Sequence, residues 1–385
     1  MQQNKRESNA DSLLKNEKQF SDVFKSFFKI KSKAETDSIE IKVGKLYFAF
    51  LPGVGYTQQS GFTGIITANV SFYTGPRKTT NISVFNTDVE YSPVYYQTFL
   101  PFVFNIWLKN NKLNILGDMR FLKFPHSEFG VGGEEKSQAI KDRVNYNYLK
   151  SYFNVFKPIG NDFYIGLGYN LDYHWNITDK DIHTNLEQYN QNQSTTVSSA
   201  PTASFKYDSR RNANNPQGGA FFSITFRDNL KALKSTADWQ SLIIDCRKYF
   251  KLKTIRSNII AFWSYNWLTF GNNVPYFDLP STGWDTYANL GRGYIQGRFR
   301  AQKLIYLESE YRFGITRNGV LGGVVFANAQ YLSDWPSNQF IHIYPAAGGG
   351  LRIKINKYSR VNFAVDYSVG INGSRGFFFN IGEVF

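Results

Sequence analysis

The chain has 385 residues and a mean hydropathy of -0.37, with no apolar run of ~18 residues, which excludes membrane-crossing helices. Aromatic residues make up 17% of it, and this content, spread over many short alternating runs, points to an all-β protein. A transmembrane antiparallel β-barrel fits best, with a large soluble sandwich as the alternative. The net charge of +14 is scattered through turns and alternating runs rather than gathered in one stripe, so a polar lumen and lipid headgroups account for it and no nucleic-acid partner is expected.

Residues 1–45 are polar and charged, and only Phe20–Phe28 clusters apolar side chains at helical spacing. This stretch reads as a short periplasmic segment, partly disordered or helical, and residues 46–385 as the barrel. No apolar signal-like stretch follows Met1, so an exported form would be the mature one. Strand-like runs then follow at about 46–58, 61–74, 80–91, 93–106, 112–123, 144–157, 162–176, 198–208, 218–229, 236–250, 253–268, 302–314, 319–332, 341–356, 359–371 and 376–385. The total, about 16 strands, is even, as closed bacterial barrels require. From Phe163 to Trp175 one face carries Phe163, Ile165, Leu167 and Tyr169 while the other carries Gly166, Asn170, Asp172 and His174. Val361, Phe363, Val365 and Tyr367 repeat the pattern, so one side is suited to lipid. The connections near 110–112, 159–161, 251–253, 317–319 and 356–358 are tight and fall on one side of the count. Those at 124–143, 177–197 and 269–301 are long and fall on the other. Cys246 has no second cysteine to pair with, which leaves it as a packed strand residue.

The longest connection opens with Val274-Pro275-Tyr276-Phe277-Asp278 and contains Leu290-Gly291-Arg292-Gly293-Tyr294. Loops of this length are functional or disordered. The strand after it, Leu304–Phe313, places Tyr306, Glu308, Glu310 and Arg312 on one face. A loop carrying Arg292 beside a strand face carrying two glutamates is expected to fold into the lumen from outside. Arg292 should then be held by Glu308 and Glu310, Gly293 should permit the close turn, and Tyr294 should pack on the wall.

These residues resemble the BamA-like and TamA-like bacterial surface antigen superfamily over residues 46–385. Leu290-Gly291-Arg292-Gly293-Tyr294 resembles its Arg-Gly-aromatic loop motif. Tyr207-Asp208-Ser209-Arg210, with Pro216 and Gly218-Gly219, resembles its Asp-x-Arg turn, and Glu308–Phe313 resembles the strand after the loop. Gly349-Gly350-Leu351-Arg352 and Asp366-Tyr367 resemble the penultimate strands, and Gly376–Phe385 the terminal strand with its final Phe. Two departures stand out. Asn328 occupies a position where the family carries Asp, which removes one carboxylate partner of the loop arginine. The family's periplasmic POTRA domains find no room before Leu46, which makes this a barrel-only, POTRA-less layout.

The resemblance implies an outer-membrane barrel that acts in protein insertion or translocation, with a strained seam between first and last strands. Pro52, Gly53, Gly55, Gly382 and Phe385 are the seam residues; Pro52 cannot donate to a ladder. The alternative is a non-catalytic structural or accessory subunit of a larger outer-membrane complex, and a passive porin ranks third because the loop would plug it. Partners are expected among outer-membrane lipid, lipopolysaccharide and outer-membrane or periplasmic proteins. No Gly-x-Ser-x-Gly elbow or dinucleotide fingerprint occurs, and no enzyme activity, cofactor or metal is expected. His174 and His183 with Asp179 and Asp181 form the one constellation suited to a loop cation, and a solvated loop explains them as well.

Overall fold

The computed structural model describes residues 43–385 apart from 58, 77–78, 133–139, 180–182, 187–188, 190–192, 253–257 and 357–359. Residues 1–42 of the expected N-terminal segment, including Phe20–Phe28, lie outside the described residues, as does Asp181. The strands are β1 (Tyr47–Thr57), β2 (Gly61–Phe72), β3 (Ser83–Ser92), β4 (Gln97–Trp107), β5 (Asn114–Lys123) and the short β6 (His126–Glu128). They continue with β7 (Asp142–Pro158), β8 (Phe163–Asp179), β9 (Thr195–Asp208), β10 (Gly219–Asn229), β11 (Trp239–Lys251) and β12 (Ile259–Phe270). The last five are β13 (Lys303–Gly314), β14 (Leu321–Ser333), β15 (Phe340–Asn356), β16 (Val361–Gly370) and β17 (Arg375–Ile381).

Each long strand pairs antiparallel with the next from β1 to β17, and β6 extends the edge of β7. This up-and-down meander is a transmembrane barrel wall. Its side chains alternate as a barrel demands: Phe163, Ile165, Leu167 and Tyr169 are exposed, while Asp172 and His174 between their continuations are buried. On β16, Phe363 and Tyr367 point out and Asn362, Asp366 and Ser368 point in. An apolar outside and a polar inside invert the soluble pattern, because here the surrounding solvent is hydrocarbon.

The lumen is filled. Residues 271–302 leave β12 and fold inward, with Tyr276, Leu279, Leu290, Tyr294 and Phe299 all buried. The insert is zipped as an irregular hairpin: Thr282 N–H donates to Phe299 O at 2.9 Å, Gly297 N–H to Thr282 O at 2.9 Å, and Ala301 N–H to Pro280 O at 3.0 Å. At its tip the Asp285 carboxylate accepts from the backbone N–H groups of Leu290 at 2.8 Å and Asn289 at 2.9 Å.

The final residues correct the expected terminal strand. β17 stops at Ile381, and Gly382 turns the chain with a φ of +105°, the left-handed region that suits glycine. Glu383 N–H then donates to Asn214 O at 2.9 Å, and Phe385 runs into the lumen, where its ring lies 5.2 Å from that of Trp263. Phe385 is therefore neither a strand end at the rim nor a seam residue.

Candidate functional site

Arg292 is the centre of a buried ion network at the inner wall. Its Nη1 donates to Asp366 Oδ2 at 2.6 Å, and its Nη2 meets both Glu308 and Glu310. The guanidinium lies 3.6 Å from the centroid of Phe326, a stacked arrangement that suits a planar cation. Strand alternation explains the receiving surface: Tyr306, Glu308, Glu310 and Arg312 share the inward face of β13, and Asp366 faces inward from β16.

The network continues on either side. Arg312 Nε donates to Glu310 Oε2 at 2.7 Å and its Nη2 to the Phe385 backbone oxygen at 2.8 Å. Arg352 Nη1 donates to Asp366 Oδ1 at 2.5 Å and its Nε to Glu383 Oε2 at 2.8 Å. Three guanidiniums thus share four carboxylates: Glu308, Glu310, Asp366 and Glu383. Removing one partner from such a buried cluster strands the others and costs ~3–5 kcal/mol.

Glycine makes the approach of these groups feasible. A Cβ at Gly350 would collide with the Asp366 carboxylate, and one at Gly293, where φ is +113°, would sit 2.6 Å from Ala346 Cβ. Tyr294 is fixed beside it, its hydroxyl donating to Pro345 O at 2.6 Å and accepting from Ile371 N–H at 3.1 Å.

Asn328 differs from the expected role. It does not receive the guanidinium. Its Nδ2 donates to the Arg292 backbone oxygen at 2.9 Å, so it holds the loop's main chain. Asp366 supplies the further carboxylate. It stands in the sequence as part of a recognisable pair with Tyr367, but β13 and β16 are far apart in the chain, and no local spacing links them.

A second anchor escaped the sequence reading. Arg300 Nη2 donates to Glu128 Oε1 at 2.7 Å, Tyr276 OH to Glu128 Oε2 at 3.1 Å, and His126 Nε2 lies 2.7 Å from Glu128 Oε1. Deeper on the same side Ser198 Oγ donates to Asp278 Oδ2 at 2.5 Å. The sequence signal was present in the basic run Arg298-Phe299-Arg300, without any indication of the acid it meets.

The seam residues separate into two groups. Pro52, Gly53 and Gly55 lie in β1 opposite Ile66, Ile65 and Thr63 of β2, and the other edge of β1 faces β17, where Tyr56 and Phe379 meet edge-on at 6.4 Å. Among the described residues no ladder registers β1 with β17. Gly382 is beyond β17, its N–H donating to Asn362 O at 2.7 Å.

Among the described residues the cation constellation is not assembled, and Asp181 lies outside them. His174 is buried and stacked on Tyr148 at 4.2 Å, whereas His183 is exposed in the following connection. Among the described residues no group of three metal-ligating side chains converges.

No protein-family profile and no curated protein matches the sequence. Solved structures do. The chain is similar to BamA from Haemophilus ducreyi lacking POTRA domains 1–3, with a TM-score of 0.56 at 14% identity over 88% of this chain and 69% of that one. It is similar to CdiB from Acinetobacter baumannii, with a TM-score of 0.56 at 12% identity over 88% of this chain and 60% of that one. CdiB from Escherichia coli gives 0.57 at 9% identity, over 89% and 68%. The shared property is the barrel fold.

Proposed function

We propose that this chain is a BamA-like outer-membrane barrel that works in protein insertion into, or translocation across, the outer membrane, through the seam between β1 and β17. The observation that carries the reading is the unregistered seam: among the described residues all other neighbouring long strands share a ladder, while β1 and β17 meet through side chains. A wall held everywhere by backbone hydrogen bonds except at one line opens at that line first. Pro52 strengthens the argument, since it has no N–H to offer a neighbour. The similarity to BamA and CdiB barrels supports the same reading. In this reading the Arg292 network keeps the central plug seated while the seam moves, and partners are client proteins and membrane lipid.

The test is a short bis-maleimide crosslink between cysteines placed at Tyr56 and Phe379, in a Cys246→Ser background. In the native cell, crosslinking should stop the outer-membrane delivery that the uncrosslinked double variant supports. If depletion of the chain leaves the complement of outer-membrane proteins unchanged, or if the crosslinked form works normally, the barrel is a structural subunit of a larger complex instead.

A further inference from the structure

The outer wall carries a depression over β11–β14. Strand register lines up Cys246, Ser264, Leu307 and Ala329 in one row across these four strands. The adjacent row holds Lys248, Phe262, Ser309 and Ala327. All eight occupy the face opposite to the buried Trp263, Glu308 and Asn328. Elsewhere the wall is bulky, as on β8 with Phe163, Ile165, Leu167 and Tyr169. Here Cys246, Ser264, Ser309, Ala327 and Ala329 leave a trough of about 690 Å³ flanked by the exposed Phe262 and Leu307. A volume of this order accommodates a small amphiphile.

The trough has a polarity. Its lysine lies at the end nearer the short turns: Lys248 precedes Phe250, and its ammonium is 5.4 Å from the Phe250 ring. The next row outward holds Phe250, Ile260 and Tyr311, with Phe250 and Tyr311 exposed. Exposed aromatics near the end of a barrel wall, here Phe250 and Tyr311, belong to the girdle at the membrane–water boundary. A lysine on the lipid face reaches for that boundary with its ammonium while its stem stays in hydrocarbon.

We infer that this trough is a binding site for one phospholipid, with an acyl chain laid across the small residues of β12–β14 and the phosphate held by Lys248. A second protein wall could also approach closely over small residues, but it would have to cover Lys248, and the depression carries no carboxylate on its outer face to receive it. The floor of the trough is the backbone at Glu308 and Asn328, the residues that hold the Arg292 loop from the other side. A bound lipid therefore braces the strand pair on which the loop anchor depends.

The test uses the purified full chain, delipidated in mild detergent and mixed with phosphatidylglycerol, with bound lipid counted by native mass spectrometry. One molecule should be retained per barrel. Ala327→Trp should abolish retention by filling the trough, and Lys248→Glu should weaken it about thirtyfold, from ~1 kcal/mol for the lost basic residue and as much again for the reversed charge. Val325→Trp, outward-facing on β14 but outside the trough, should retain lipid as the parent does and reports that a tryptophan on this strand is tolerated. Diacylglycerol, which lacks the phosphate, should bind the parent about fivefold more weakly than phosphatidylglycerol does, because it loses the attraction without the added repulsion of Lys248→Glu. Equal retention by the parent and Ala327→Trp would overturn the site. So would a parent dimer that Ala327→Trp dissociates, since the occupant would then be a second protein.

Discussion

Arg292 reaches Asp366 at 2.6 Å while the same guanidinium holds Glu308 and Glu310, so one loop residue ties β13 to β16 across the inside of the barrel. Replacing it tests how firmly the plug is seated. Arg292→Ala leaves the buried Glu308 without its guanidinium, while Glu310 keeps Arg312 and Asp366 keeps Arg352, and should weaken seating by ~3–5 kcal/mol. Arg292→Lys keeps the charge but lacks the planar fork and should fall in between. Conductance in planar bilayers reads the outcome: Ala should raise it most. Unchanged conductance in both variants would mean that the loop is held without this residue.

The same loop should respond to pH through Asp278. Burial, then the negative charge of Asp172, pushes its carboxyl up to about 7, with Arg227, Ser198 and Arg300 opposing. The native state therefore binds this proton more tightly than the unfolded chain, where the value is 3.8. The contribution is fully present below pH ~4 and is lost as pH rises through ~7. Loop seating should be firmer at pH 5 than at pH 8, measured as proteolytic nicking of 271–302. Asp278→Asn should flatten the difference. A parent protein equally protected at both pH values rules the mechanism out.

Phe385 should behave as a core residue. Its ring stacks on Trp263 and its backbone oxygen receives Arg312, so Phe385→Ala should cost about 3 kcal/mol of barrel stability. Thermal unfolding of the folded protein in detergent measures this directly. An effect confined to insertion in cells, with unfolding unchanged, would show a recognition role instead.

The wall can be tested at Leu167, the fifth residue of β8, which is 72% exposed. Leu167→Arg should destabilise insertion by ~2–4 kcal/mol if the residue lies near the midplane, read from urea titration of folding into vesicles. A cost near zero would place the residue at the interface or out of the membrane.

Much of this architecture was written in short-range pattern. Alternation alone located the strands, because each strand's faces meet hydrocarbon and lumen whatever its partner is. β8 was expected at 162–176 and runs Phe163–Asp179; β16 was expected at 359–371 and runs Val361–Gly370. Loop lengths sorted the two rims for a similar reason: hairpin turns need few residues, and a plug needs many. Arg292 with Glu308 and Glu310 was also legible, since a loop and the strand that follows it are neighbours in any meander.

What the sequence could not determine is which distant groups share one buried charge. Asp366, Glu383 and Arg352 join Arg292 only because the inward faces of β13, β15 and β16 and the turn after β17 converge on it inside the lumen. Asn328 donates to a backbone oxygen because the third carboxylate comes from elsewhere. Glu128 meets Arg300 across 172 positions of chain, and Phe385 turns inward because Arg312 and Trp263 wait there. Periodicity specifies which face of a strand is wet, a property of the residue and its two neighbours. Pairing of buried charges is a property of the closed volume, where desolvation forces every ion to find a counter-ion regardless of its distance along the chain.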